Sequence, residues 1–118
     1  MPRFLCEAAY KPEAWAAQLE NPTNRLEQLK PCLDSVGARV ETAYFAFGEY
    51  DMIVIIEAPD NISAAALSLC FAAGGALKAM RTTPLMTIQE GMDAMRKGAR
   101  ALAAYTPLTR QMAGTAKN

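Results

Sequence analysis

The chain reads as an α+β domain of ferredoxin-like βαββαβ order: a four-stranded antiparallel sheet, helices on one face of it, and a further C-terminal helix. Three observations carry this reading. Four stretches have the length and apolar content of strands. The middle two, residues 39–47 and 50–58, are separated only by Gly48-Glu49, which makes them a hairpin. Segments of helical spacing separate the first strand from the second and the third from the fourth, so each is a crossover. At 118 residues and 52% hydrophobic content, the chain suits one domain with a real core.

The first strand covers residues 3–10, RFLCEAAY. Pro12 suits a first helical turn, where its missing N–H would be unpaired anyway. EAWAAQLE continues that turn until Asn21-Pro22, because a residue before proline avoids helical angles. A second helical segment carries Leu26, Leu29, Leu33 and Val36 as one stripe. Pro31 falls inside it, removes a backbone bond and predicts a kink or break near Gln28. Gly37 ends the segment as a left-handed cap. Pro59-Asp60-Asn61 stops the hairpin, and Asp60 or Asn61 caps the next helix. That helix runs to about Ala73 and stops at Gly74-Gly75, which lacks the context of a phosphate loop. Residues 76–89 form the last strand, which Pro84 confines to a sheet edge or a bulge. Residues 90–104 form the added helix, with Met92, Met95, Ala99 and Leu102 on one side. The domain proper is then residues 1–90, and residues 91–118 are a C-terminal helix and tail.

The stretch FGEYDMIVIIEAPD is oily on both faces of its strand. Met52, Val54 and Ile56 point one way, and Ile53 and Ile55 the other. Isoleucines left in water forgo roughly 1.5–3 kcal/mol each relative to burial. The reading that follows is a second copy of the chain, sheet against sheet, with the added helix folded across that face as the alternative. From Asn61 to Leu77 there is also no charge. The helix there needs a cover, and the 90–104 helix is the nearest candidate in sequence.

Those residues also carry a resemblance. FGEYDMIVIIEAPD, preceded by NPTNRLEQLKPCLDSVGARVE and followed by an Ala-rich helix and MRTTPL, resembles the GYD domain family over residues 3–90. That family is named for a Gly-Tyr-Asp signature at this turn, here Gly48-Glu49-Tyr50-Asp51. The resemblance implies a fold similar to the dimeric α+β barrel proteins. It implies no activity.

Charge and composition exclude several functions. The net charge is zero, which argues against electrostatic nucleic-acid binding. Residues 1–90 hold seven Lys and Arg against eleven Asp and Glu, and residues 91–118 hold five against one, so an acidic body carries a basic end. There is no histidine, which removes the usual metal ligand and the usual general base near neutral pH. No metal or cofactor is expected. Cys6, Cys32 and Cys70 are widely spaced and suit reduced thiols in a cytoplasmic protein. Cys32 beside Pro31 reads as the exposed one, and Cys6 and Cys70 as core. ISAAALSLCFAAGGAL is uncharged but too short for a membrane span.

The candidate ligand-binding residues are Glu7, Glu41, Glu57, Arg81, Tyr50 and Asp51. Strand parity places Glu57 with Ile53 and Ile55, Glu41 with Phe45 and Phe47, and Glu7 with Leu5. A carboxylate partly desolvated on that face would have a raised pKa and could exchange protons. Arg81 would pair with one of them or hold an anion. The structural alternative puts these charges at strand ends or in salt bridges, with Asp51 bonding backbone amides and Tyr50 supplying contact area. Two functions follow. One is a homo-oligomeric small-molecule-binding or regulatory module, with a pocket at the sheet face for an apolar or anionic ligand. The other is a cofactor-independent oxygenase or isomerase of dimeric α+β barrel type, using the carboxylates with Tyr44 or Tyr10.

Overall fold

The computed structural model describes residues 1–108. Its elements are β1 (Arg3–Tyr10), α1 (Pro12–Glu20), α2 (Arg25–Ser35), β2 (Arg39–Phe45), β3 (Met52–Glu57), α3 (Asn61–Ala73), β4 (Leu77–Leu85) and α4 (Ile88–Ala104). The four strands form one antiparallel sheet in the order β2-β3-β1-β4. This is the ferredoxin-like α+β fold. Pro84 sits on β4, an edge strand, where no neighbour asks for its missing N–H.

One face of the sheet meets α2 and α3. Phe4, Met52, Val54 and Ile56 point into that layer and bury against Leu33 of α2 and Ala64 and Leu67 of α3. Fully burying a residue such as Leu67, 2% exposed, is worth about 1.5–3 kcal/mol. Asp60 caps α3 by accepting from the Ser63 backbone N–H at 2.8 Å. Gly37, at φ 72°, ends α2. Its left-handed turn lets Ala38 N–H reach the Leu33 carbonyl at 2.9 Å, satisfying a helix end that would otherwise be open.

Four details differ from the sequence reading. α2 is unbroken through Pro31. The carbonyl that Pro31 leaves unpaired is that of Glu27, an exposed residue, so the lost bond is not a buried one. The hairpin connection is longer than Gly48-Glu49, because β2 stops at Phe45 and β3 starts at Met52. Asp51 is drawn out of β3 because its N–H donates to the Ala8 carbonyl of β1 at 2.8 Å. β2 carries a bulge at Glu41, since Val40 opposes Ile56 and Thr42 opposes Ile55. Finally, β4 ends at Leu85 and α4 starts at Ile88, two residues before the expected Glu90.

The chain divides into two compact units, one of Met1–Leu85 and one beginning at Met86. In the second, Thr87 and Glu90 form a reciprocal capping box that starts α4. Met92, Met95 and Leu102 are exposed. The tail expected after residue 104 lies outside the described residues from 109 on.

Candidate functional site

The sheet face turned away from α2 and α3 is ordered in rows, because directly opposed residues share a face. One row reads Tyr44, Ile53, Glu7, Arg81 across β2, β3, β1 and β4. The next reads Thr42, Ile55, Leu5, Thr83, and the third Arg39, Glu57, Arg3, Leu85. An apolar middle row thus lies between a row with Glu7 and Arg81 and a row with a two-arginine cluster.

Glu57 is the one buried charged side chain among the described residues, at 8% exposure. Arg39 Nε donates to its Oε2 in a very short contact. Arg3 Nη2 approaches its Oε1 at 3.3 Å. Arg3 Nε also donates to Glu41 Oε2 at 2.7 Å, so the bulged Glu41 faces the same cluster. The bulge breaks the parity that put Glu41 with Phe45. Phe45 opposes Met52 and belongs to the helix-covered face. The Arg39 hydrogen bond, then the Arg39 and Arg3 charges, hold the Glu57 carboxyl below its ordinary pKa despite burial. For Glu57 the shift is therefore downward, not the upward one expected from desolvation.

A lowered folded-state pKa gives a stability contribution that is full above the ordinary carboxylate range. It is lost as pH falls through that range and below it, where the folded protein must take up the proton too. The melting temperature of the unmodified chain is expected to fall between about pH 5 and pH 3, and Glu57→Gln to flatten that fall. Identical pH profiles for the two proteins would remove Glu57 from this role.

Glu7 and Arg81 are opposed in register, yet they make no salt bridge. The Arg81 guanidinium instead lies 5.7 Å from the centre of the Tyr50 ring, a cation–π distance. Asp51 turns away from all of them. Its Oδ2 accepts from the Tyr10 backbone N–H at 2.8 Å and from the Trp15 indole N–H at 3.3 Å. Of the six predicted ligand residues, Glu41 and Glu57 are thus joined through arginines, and Tyr50 and Arg81 stack. Glu7 sits between the two groups, and Asp51 serves β1 and α1.

A concavity walled by two helices lies on the other side of the sheet. A cavity of about 300 Å³ opens between α2, α3 and the covered face. Its walls include Cys6, Tyr10, Leu29, Cys32, Met52, Cys70, Phe71 and Met80, with Arg25 as the charged member. None of the six predicted residues lines it. Its lining is hard to read from the chain, because Leu29 and Phe71 look like ordinary core. One signal was present: Ala8, Gly74 and Ala76 are small, and small residues between a helix and a sheet leave space unfilled. Burial pushes the Tyr10 phenol up, with Arg25 beside it opposing the shift. Burial also pushes the Cys6 thiol up, against a hydrogen bond with Thr82. Both groups stay protonated near neutrality. Tyr10 faces this cavity while Tyr44 lies on the opposite face, so the two tyrosines do not share a site.

The thiols are placed differently from expectation. Cys70 is the exposed one, and Cys6 and Cys32 are half-buried. Residue 70 follows the buried Leu67 by three positions and stands at the edge of α3 beside Cys32 of α2, where the cavity opens, an orientation that the uncharged helix did not reveal. Among the described residues no cluster of His, Cys, Asp and Glu could hold a metal ion, and no helix is long and apolar enough to cross a membrane.

A family model described as GYD domain matches residues 4–95, which takes in the first part of α4 and all of the sheet but Arg3. Neither the curated proteins nor the solved structures give a match.

Proposed function

The chain belongs to the GYD domain family, and on that premise we propose that it is a homo-oligomeric small-molecule-binding module whose ligand is an apolar acid held between α2, α3 and the sheet. The observation that carries this reading is the cavity: about 300 Å³, walled by apolar side chains, with one cation. That volume holds roughly ten non-hydrogen atoms at about 30 Å³ each. Ligand sites are commonly of this kind, mostly apolar with a few polar groups that fix orientation.

Arg25 supports the acid. Its Nη1 donates to Gln28 Oε1 at 3.1 Å, and no carboxylate pairs with it among the described residues. A carboxylate head would supply the missing partner, while the tail follows Leu29, Met52 and Phe71 inward. The Tyr10 hydroxyl stands beside the arginine and becomes a second donor if its O–H turns from Met52 Sδ, 3.4 Å away, to the ligand. The homo-oligomer rests on the opposite face of the sheet, where Leu5 and Ile55 of the middle row and Ile53 of the row beside it make an apolar patch.

Octanoate and octanol separate the head from the tail. Octanoate is expected to bind and to raise the melting temperature. Arg25→Gln is expected to weaken octanoate by about tenfold or more, since a hydrogen bond to a charged group is worth about 1.5–3 kcal/mol, and to leave octanol unchanged. Calorimetric titration reads all four combinations. Equal loss of both compounds in Arg25→Gln would remove the carboxylate from the proposal. Native mass spectrometry of protein from cells reports subunit number and retained ligand together, and an empty monomer there contradicts the whole reading.

A further inference from the structure

Three thiols line one cavity, and two of them nearly touch. Cys32 on α2 and Cys70 on α3 bring their Sγ atoms to 3.6 Å, although 38 positions separate them in sequence. We propose that this pair is a redox site: oxidation joins Cys32 to Cys70, straps α2 to α3 at the cavity wall and slows exchange of the ligand. The covalent step stands on the thiol geometry alone, and its effect on exchange rests on the cavity reading above.

The geometry favours closure. A disulfide places its sulfurs about 2.05 Å apart, so the pair must approach by roughly 1.5 Å, within the reach of small side-chain rotations. Each cysteine sits in the last turn of its helix, since α2 ends at Ser35 and α3 at Ala73. Last turns fray and adjust more easily than helix centres. Gly74 and Gly75 follow α3 directly, and glycine restricts the backbone less than any other residue. Cys6 takes no part, because its thiol is engaged with Thr82 on β4.

The two thiols differ in the way that a relay needs. Cys70 is exposed and open to an oxidant, while Cys32 is half-buried. Burial first, and then the Cys70 sulfur, push the Cys32 thiol up. With glutathione disulfide as the oxidant, Cys70 loses its proton and its thiolate attacks one glutathione sulfur. That forms a mixed disulfide and expels one glutathione thiolate, which takes up a proton. Cys32 then loses its proton and attacks Cys70 Sγ, forming the intrachain bond and expelling the second glutathione. Two protein thiols are oxidised, one disulfide is reduced, and protons balance. Excess glutathione reverses each step.

The test uses the full chain in glutathione buffers of rising oxidised fraction, read by intact mass and peptide mapping. The expected product has lost two hydrogens and carries one Cys32–Cys70 linkage that dithiothreitol removes. Cys32→Ser is expected to stop at one glutathione on Cys70, and Cys6→Ser to oxidise like the unmodified chain. The oxidised form is expected to melt roughly 10 °C higher, as a bond that constrains the unfolded chain should. A pair that stays reduced in the most oxidising buffer overturns the site, as does a linkage through Cys6 or a bond between two chains. Octanoate exchange is then measured on both forms by NMR, with roughly tenfold slowing expected on oxidation. Equal exchange in both forms overturns the control of the cavity. Failure of octanoate to bind either form overturns the cavity reading and leaves the disulfide standing.

Discussion

Replacing Asp51 by alanine is expected to lower stability by about 2–4 kcal/mol, because two hydrogen-bond donors lose one charged acceptor. The Asp51 carboxylate holds the Tyr10 backbone N–H at 2.8 Å and the Trp15 indole N–H at 3.3 Å. Its own backbone is equally committed: its N–H donates to Ala8 and its carbonyl accepts from Ala46, both at 2.8 Å. One residue therefore ties the end of β1, the start of α1 and the hairpin connection together. The aromatic group depends on this tie. Trp15 meets Tyr10 edge-on at 5.5 Å and lies 6.2 Å from Phe45. Water fills the gap left by alanine only in part, since the site is half-buried.

The chain has a single tryptophan, so its fluorescence reports this contact directly. Asp51→Ala is expected to red-shift Trp15 emission and to lower the melting temperature by roughly 10 °C or more. Asp51→Asn keeps an acceptor oxygen and is expected to lose less. A change within about 0.5 kcal/mol for the alanine variant would mean that the signature aspartate does not hold the fold together.

How much of this was legible in the chain follows from what strand and helix patterns encode. The order of elements was legible, because apolar periodicity marks each strand and helix and Gly37, Pro59 and Gly74 punctuate the crossovers. Pro84 announced an edge strand or a bulge, and Asp60 or Asn61 a cap; the edge and Asp60 are what the structure has. What failed were features set by partners distant in sequence. The bulge at Glu41 turns that side chain to Arg3, in a charge cluster with Arg39 and Glu57, and no local pattern shows such a cluster. The early end of β2 and late start of β3 follow from Asp51 reaching to Ala8 and Tyr10, far back in the chain. The start of α4 was within reach, since Thr87-Ile88-Gln89-Glu90 has the spacing of a capping box. Of the site, strand parity suggests carboxylates on one face, but the expected pairing of Arg81 with a glutamate gives way to its contact with Tyr50. The cavity and the Cys32–Cys70 contact were not legible, because two helices meet there through residues that each look like ordinary packing.

Ile55→Asp is the sharper test of assembly. Ile55 sits in the middle of the apolar row, between Thr42 on β2 and Leu5 on β1. Its position two residues before Glu57 puts any new carboxylate on the same face as that buried acid. In the proposed oligomer the aspartate would lie in an apolar interface with no cation assigned to it, since Arg3 and Arg39 already hold Glu57. Burying a charge without a partner costs several kcal/mol in practice, more than a small interface can absorb. The expected result is loss of the oligomer, seen as a fall in mass by light scattering, with the sheet still formed by circular dichroism. A face that meets water predicts the reverse, because an exposed charge changes stability by no more than about 0.5 kcal/mol. A third outcome separates a cover within the chain from a cover by a second copy. An unmodified chain that is already a monomer, and that loses stability on Ile55→Asp, would mean that the row is buried by its own chain. Ile53→Asp should then behave alike, because Ile53 lies on the same face of β3 with Tyr44 and Glu7 as its neighbours.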